Sequence, residues 1–290
     1  MGLRTKFNLM LLTVAVLGLA LFAAIATPVL RGLARDEVLL ESRLMMEAAA
    51  GARTYTASEI EPLLAPSMGA RFHQQAVSAY GAKRMLQGVR AKFPDYGYRE
   101  AALNPTNPED KATDWEADVI NDFRDHPDKQ EAVLQRATPE GEQLALARPL
   151  VAAPSCLVCH STPAAAPRSM IALYGSRNGF GWKANEVIGA QIVSVPMSVP
   201  LARAAHGRTL LLLAFAAVFL LLFVLLNLLL GFTVIEPIHR MAQTAEAVSL
   251  GKMDTPEYVR SGGDQIATLS SAINRLRRSL QEALRMLSEE

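Results

Sequence analysis

The chain has 290 residues, half of them apolar and a fifth charged, and its formal net charge is +1. That balance excludes a nucleic-acid binder, which needs a basic surface, and a disordered chain, which is poor in apolar side chains and rich in charge. The apolar residues are unevenly spread, and the only two cysteines fall within a single pentad.

After a short N-terminal segment, residues 1–6, the stretch 7–30 carries no charged side chain and predicts a membrane-spanning helix, as does 209–235. Arg4 and Lys6, followed by an apolar run and "AIA" at 24–26, also resemble a cleavable signal peptide. Pro28, Val29 and Leu30 extend the run past that point, so an uncleaved anchor is expected. Two spans place both termini on one side of the membrane and residues 31–208 on the other. Charge alone orients them weakly, because Arg4 and Lys6 are balanced by Arg31, Arg35, Arg203 and Arg208 across the two spans.

Between the spans, "EVLLESRLMMEAAAGARTYTASEIEPLL" reads as a helix ending near Pro62 and Pro66, with Val38, Leu39, Met45 and Met46 at turn-like spacing. A second amphipathic helix is predicted from about Phe72 to Lys92, its apolar face made by Ala76, Ala79, Met85, Leu86 and Val89. "YGYREAAL" alternates as a strand, and "NPTNP" at 104–108 breaks it. "TDWE" has the form of a capping box, Thr113 with Glu116, opening a helix that buries Trp115, Val119, Ile120 and Phe123. "QLALARPLV", "SMIALYG" and "EVIGAQIVSVPM" read as strands separated by proline and glycine. Helices first and strands later predict an α+β domain.

The pentad "CLVCH" follows the first of those strands. Three chemistries suit two cysteines and an adjacent histidine. In covalent c-type haem, Cys156 and Cys159 form thioethers with the haem vinyl groups and His160 becomes the proximal iron ligand. A structural zinc site wants a fourth protein ligand, and no further cysteine supplies one. A redox pair belongs at a helix start in a βαβ unit, whereas Pro154 and Pro163 bracket a loop here. Haem is the reading the motif favours. Since such haem is attached outside the cytoplasmic membrane, residues 31–208 are expected in the periplasm and both termini in the cytoplasm of a bacterial inner-membrane protein.

"FHQQAVSAY", "YGYREAALNPTNPEDKATDWEADVINDFR", "CLVCH" and "YGSRNGFGWKANEVIGAQIVSVPM" together resemble a family of bacterial c-type haem domains, long grouped as a domain of unknown function. The resemblance covers about residues 40–200. It implies a PAS-like sheet cradling one covalent haem, with His160 proximal, and a sensor role. A structurally described relative places a cysteine from an N-terminal helix opposite the histidine, and this chain has none outside the pentad. His73 is the residue named first for that position, with Met68, Met85, Met170 and Met197 behind it. His126 and His206 are weaker candidates, and His239 lies beyond the second span. A histidine or methionine there suits redox sensing or electron transfer, whereas an open position admits a small gas. Arg53, Arg71, Arg99, Arg124 and Arg148 are possible partners for the haem propionates.

Past the second span, Ile235, Ile238, Ala242, Ala245 and Val248 mark one face of a helix that has Pro237 in its first turn. A connector with glycines at 251, 262 and 263 leads to an a/d seam of Ile266, Leu269, Ile273, Leu276, Leu280, Ala283 and Leu287. Residues 236–290 thus resemble a HAMP signal-relay module, an all-α element, with Met253 and Val259 as the connector's buried residues and Gln265 departing from the usual acidic pair. The seam calls for a parallel homodimer. The 290 residues hold no kinase or methyl-accepting segment, so for a complete chain output is expected to pass to a separate cytoplasmic signalling partner, and for a shorter piece to a segment beyond it. The sequence therefore predicts a membrane-bound haem sensor of redox state or a small gas, and no enzyme, since no acid/base constellation accompanies the iron. The rival expectation is a membrane-anchored electron carrier whose coiled-coil tail only dimerises it.

Overall fold

The computed structural model describes residues 2–139, 141–252 and 254–288. In chain order, α1 (Leu3–Tyr55) passes through a π-helical turn, Thr56–Ile60, into the single-turn α2 (Glu61–Leu64) and a 3-10 turn, Ala65–Ser67. There follow α3 (Ser78–Arg90), β1 (Gly97–Ala102), α4 (Asp114–Asp125), β2 (Ala132–Thr138), β3 (Gly141–Val151), α5 (Leu157–His160), α6 (Arg168–Tyr174) and β4 (Val187–Pro196). The helices α7 (Ser198–Leu230), α8 (Glu236–Ser249) and α9 (Gln265–Ser288) complete the chain. Two compact units result, Thr27–Gly207 and Met1–Ala26 with Arg208–Glu290.

The first unit is a mixed α/β domain around an antiparallel four-stranded sheet in the order β1-β4-β3-β2. Successive side chains of a strand face opposite ways, and both faces are covered here. Ala145, Ala147, Ala190 and Ile192 face α4, meeting Val119, Ile120 and Phe123. Leu144, Leu146, Val193 and Val195 face the other way, onto Val38, Met46 and Met197. On that side α1 buries Ala34, Val38, Ser42, Met46 and Ala49, a stripe at helical spacing that lays the helix on the sheet. Thr113 donates its backbone N–H to Glu116 Oε2 at 2.8 Å, which opens α4 as the capping pattern requires.

Three local expectations are corrected. "SMIALYG" forms the helix α6. Pro167 pre-sets its entry, Met, Ala and Leu favour helix, and Gly175 at φ +80° stops it by bonding back to Ile171. The second helix begins at Ser78 instead of Phe72, because Val77 is extended, and Met85 faces outward at 42 % exposure. The hairpin strand β2, which pairs with β3 from Ala132↔Ala147 to Thr138↔Gly141, went unforeseen.

In the second unit, α1 and α7 are long and apolar enough to cross a membrane. Phe22 stacks on Phe215 with centroids 5.0 Å apart, and Gly18 lies beside Phe219. A π-helical turn, Gly231–Ile235, separates α7 from α8. It lies just before Pro237, whose missing N–H and bulky ring disrupt the bond to the carbonyl of Thr233. Arg260 from the connector donates to that carbonyl instead, Nη1 to O at 2.9 Å. Thr56–Ile60 stands in the same relation to Pro62.

Within one chain the buried face of α8 is Pro237, Met241, Thr244 and Val248; of the predicted face Val248 is buried, whereas Ile238, Ala242 and Ala245 are exposed. On α9, Ala267, Ser270 and Asn274 are buried, with Ser270 and Asn274 both donating to the Tyr258 carbonyl. Asp264 caps α9 by accepting from the Ala267 N–H at 2.7 Å, and Arg278 grips Glu257 with two bonds of 2.9 Å. Within one chain the predicted seam residues Leu269, Leu276 and Leu280 therefore stay exposed. Val259 is 74 % exposed, against expectation. Met253 and the side chain of Leu287 lie outside the described residues.

Candidate functional site

The pentad occupies one helical turn between Pro154 and Pro163. Cys156 ends a 3-10 turn and Cys159 and His160 follow at i+3 and i+4, which puts all three on one side of that turn. Both thiols are free and partly buried. Burial, reinforced by the nearby charge of Glu61 and by Cys156, pushes the Cys159 thiol up. Because β3 and β4 run antiparallel, their connection is not the βαβ crossover which a redox pair would call for. Among the described residues no three His, Cys, Asp or Glu side chains gather as a metal cage.

His160 is held closely. Its Nδ1 lies 2.7 Å from the Gly179 carbonyl oxygen, an acceptor only, so Nδ1 carries the proton. Nε2 is then the lone-pair nitrogen. Burial pushes the imidazole down from its ordinary value, outweighing the opposing bond to Gly179, and keeps it neutral. Thr106 Oγ1 lies 3.4 Å from Nδ1, and the Trp182 indole stacks on the ring at 3.9 Å between centroids. Sequence reasoning missed these neighbours. The available signals were "NPTNP" and "NGFGW", two glycine- and proline-marked loops within the family blocks.

His73 sits at the start of the 3-10 turn Gln74–Ala76, on a segment docked against α6. Gln74 Nε2 donates to Tyr174 OH at 2.6 Å, Phe72 meets the Tyr174 ring edge-on, and Ser169 donates to the Met68 carbonyl. Among the described residues the His73 ring has no hydrogen bond to the pentad. Its backbone N–H donates to Met68 Sδ at 3.3 Å, which engages that sulfur locally. Met197 is core filler and Met85 points outward, while Met170 is buried in α6. His126 bonds back to Asp122 at the end of α4.

Four of the five arginines named for propionates are engaged elsewhere. Arg53 pairs with Glu100, Arg99 with Glu116, Arg124 with Glu186 and the Val187 carbonyl, and Arg148 with Glu47 and Glu131. Arg71, next to Phe72, has no side-chain partner among the described residues.

The chain thus combines a mixed α/β domain carrying a cysteine–histidine loop with helices long and apolar enough to cross a membrane and the helices that follow them. The chain belongs to the Tll0287-like family, whose model matches residues 31–196, and residues 229–282 match the HAMP domain, a signal-relay module. Among solved structures it is similar to that of the cyanobacterial haem protein Tll0287, at 19 % identity and a TM-score of 0.43, over 55 % of this chain and 95 % of that one. No curated protein matches it.

Proposed function

We propose that this protein is a membrane-bound haem sensor whose domain at 31–208, read as PAS-like, faces the periplasm. Spans at 7–30 and 209–235 would leave both termini in the cytoplasm, with the relay at 236–290. The observation that carries the reading is the pair of free thiols beside an imidazole whose Nδ1 is committed to Gly179. That donor set fits one c-type haem. Cys156 and Cys159 would hold it through thioethers, each S–H adding across a vinyl group with its proton going to the neighbouring carbon, and Nε2 of His160 would ligate the iron. A metal-ligating histidine characteristically donates its other nitrogen to a carbonyl or carboxylate, as here.

The bound haem would supply redox change or gas binding. His73 would be the first candidate for a second iron-holding residue, since it lies in the segment that docks on the helix after the pentad. The exposed stripe of Leu269, Leu276 and Leu280 supports a homodimer through the relay, which would bias an output partner such as a kinase by differential packing.

Expression of the full chain and of its C156A/C159A variant, followed by denaturing electrophoresis with haem staining, tests the reading. Stain on the wild type alone supports it; an unstained wild type, or a stained variant, overturns it. Spectra of the reduced protein with and without carbon monoxide then separate an open sixth position from a filled one.

A further inference from the structure

Two loops distant in sequence converge on His160, and more is invested there than one hydrogen bond requires. The Gly179 carbonyl that accepts from Nδ1 is itself fixed. Gly179 has φ +82°, and a Cβ there would stand 2.0 Å from Thr106 Oγ1 and 2.8 Å from Thr106 Cα, so only glycine permits this approach. Its N–H reaches Asn104 Oδ1 at 3.3 Å. Residues 104–106 thereby hold the acceptor, and the acceptor fixes one atom of the imidazole. A single bond leaves the ring free to swing about it. Trp182 removes that freedom, with its indole face to face with the imidazole at 3.9 Å and 12° from parallel. The backbone that carries the indole is pinned to the pentad, because the Trp182 main-chain N–H donates to the His160 carbonyl and the Gly181 main-chain N–H to that of Ser161.

We infer that Trp182 is a positioning residue of the iron site: it locks the plane of the His160 imidazole, while the Asn104–Gly179 pairing locks its tautomer, and together they set how Nε2 presents its lone pair. This rests on the haem reading above. Trp182 itself touches no iron and acts through His160. Ring plane and hydrogen bonding of an axial histidine both tune the potential of the iron it holds. The consequence is a site whose redox poise is set by an aromatic face, and any movement of the 179–182 loop is felt at the metal.

The test uses the full chain in detergent micelles, comparing wild type, W182F and W182L by optical redox titration and by the iron–histidine stretching band of the ferrous protein. W182L is expected to shift the reduction equilibrium about tenfold, near 59 mV for one electron, and to broaden the stretching band. W182F, which keeps an aromatic face, is expected to stay within about threefold of wild type. Equal potentials and bands in all three overturn the inference, whereas a wild type without haem would overturn the haem reading instead. If W182L does not accumulate, the C156A/C159A chain labelled at histidine provides a haem-free readout. Ring-current shielding of the His160 ring protons and a protonated Nδ1 support the inference. An unshielded ring, or a proton on Nε2, overturns it.

Discussion

Replacing Arg53 by methionine keeps its aliphatic packing and removes its charge, which isolates one ion pair. Glu100 on β1 is 5 % exposed, and its carboxylate is held by Arg53 from the end of α1 and by Tyr98 OH at 2.7 Å. Gln191 on β4 donates in turn to the Tyr98 oxygen at 2.9 Å. Burial, with the charge of Glu100, pushes the Tyr98 hydroxyl up, so it remains a donor. Breaking a fully buried pair from one side costs about 3–5 kcal/mol, because a charge is left unpaired in low dielectric. Arg53 is 28 % exposed, so water reaches the pair and the expected cost falls to about 2–3 kcal/mol. That corresponds to roughly 30- to 150-fold faster exchange of the slowest amides in β1 and β4, read by hydrogen-exchange mass spectrometry of the full chain in micelles. The double variant R53M/E100Q removes both charges and is expected to recover at least about half of the loss. Exchange in R53M within about threefold of wild type, or a double variant as unstable as the summed singles, would refute the reasoning.

Gly189 faces the backbone of its partner strand, and a Cβ there would meet the Ala101 carbonyl oxygen at 2.3 Å. G189A should therefore cost about 1–3 kcal/mol in chemical denaturation, while G97A, whose nearest contact is an ordinary 3.5 Å, should change little; equal effects would contradict the account. Burial raises the Glu131 carboxyl, but Arg43 and Arg148 together outweigh it and hold the group below its ordinary range. A depressed folded pKa gives stability that is present above the unfolded value and lost as pH falls through the folded one. E131Q should accordingly lower the unfolding temperature at pH 7, with the gap from wild type narrowing toward about pH 3; a constant gap would tell against the pairing. In membranes, L276C should form an interchain disulfide, since Leu276 is 72 % exposed within one chain, and N274C, buried against the Tyr258 carbonyl, should not. Equal yields would reject the dimer.

Alternation made β1, β3 and β4 legible, because their inward positions carry larger or β-branched side chains on at least one face. The strand β2 offers one fully buried residue, Ala132, and otherwise half-covered positions, so no pattern stands out from the loops around it. α6 was misread because a short apolar run has no period long enough to separate strand from helix. The pentad announced itself, but the groups that hold His160 did not. One of them is a backbone carbonyl, which any residue possesses, and what places it is a glycine conformation with a tryptophan three residues on. At Ile238, Ala242 and Ala245 the face of α8 was misjudged by one position, while Val248 was read correctly. The buried face's polar member, Thr244, bonds the Arg240 carbonyl of its own helix and so buries at little cost, which hydropathy alone does not anticipate.

The π-helical turn at Gly231–Ile235 also bears on how this chain is cut and joined. An ordinary helix advances its side chains about 100° per residue, and a π turn accommodates one extra residue without lengthening the ladder by a full step. Splicing α7 onto a foreign relay at Leu230 discards that extra residue, whereas splicing after Ile235 retains it, so the two chimaeras present their downstream helices about one residue step out of phase. With the junction after Ile235, Arg260 travels with the downstream piece and Thr233 with the upstream one. A functional fusion has to carry the turn, its proline and its arginine as a single cassette.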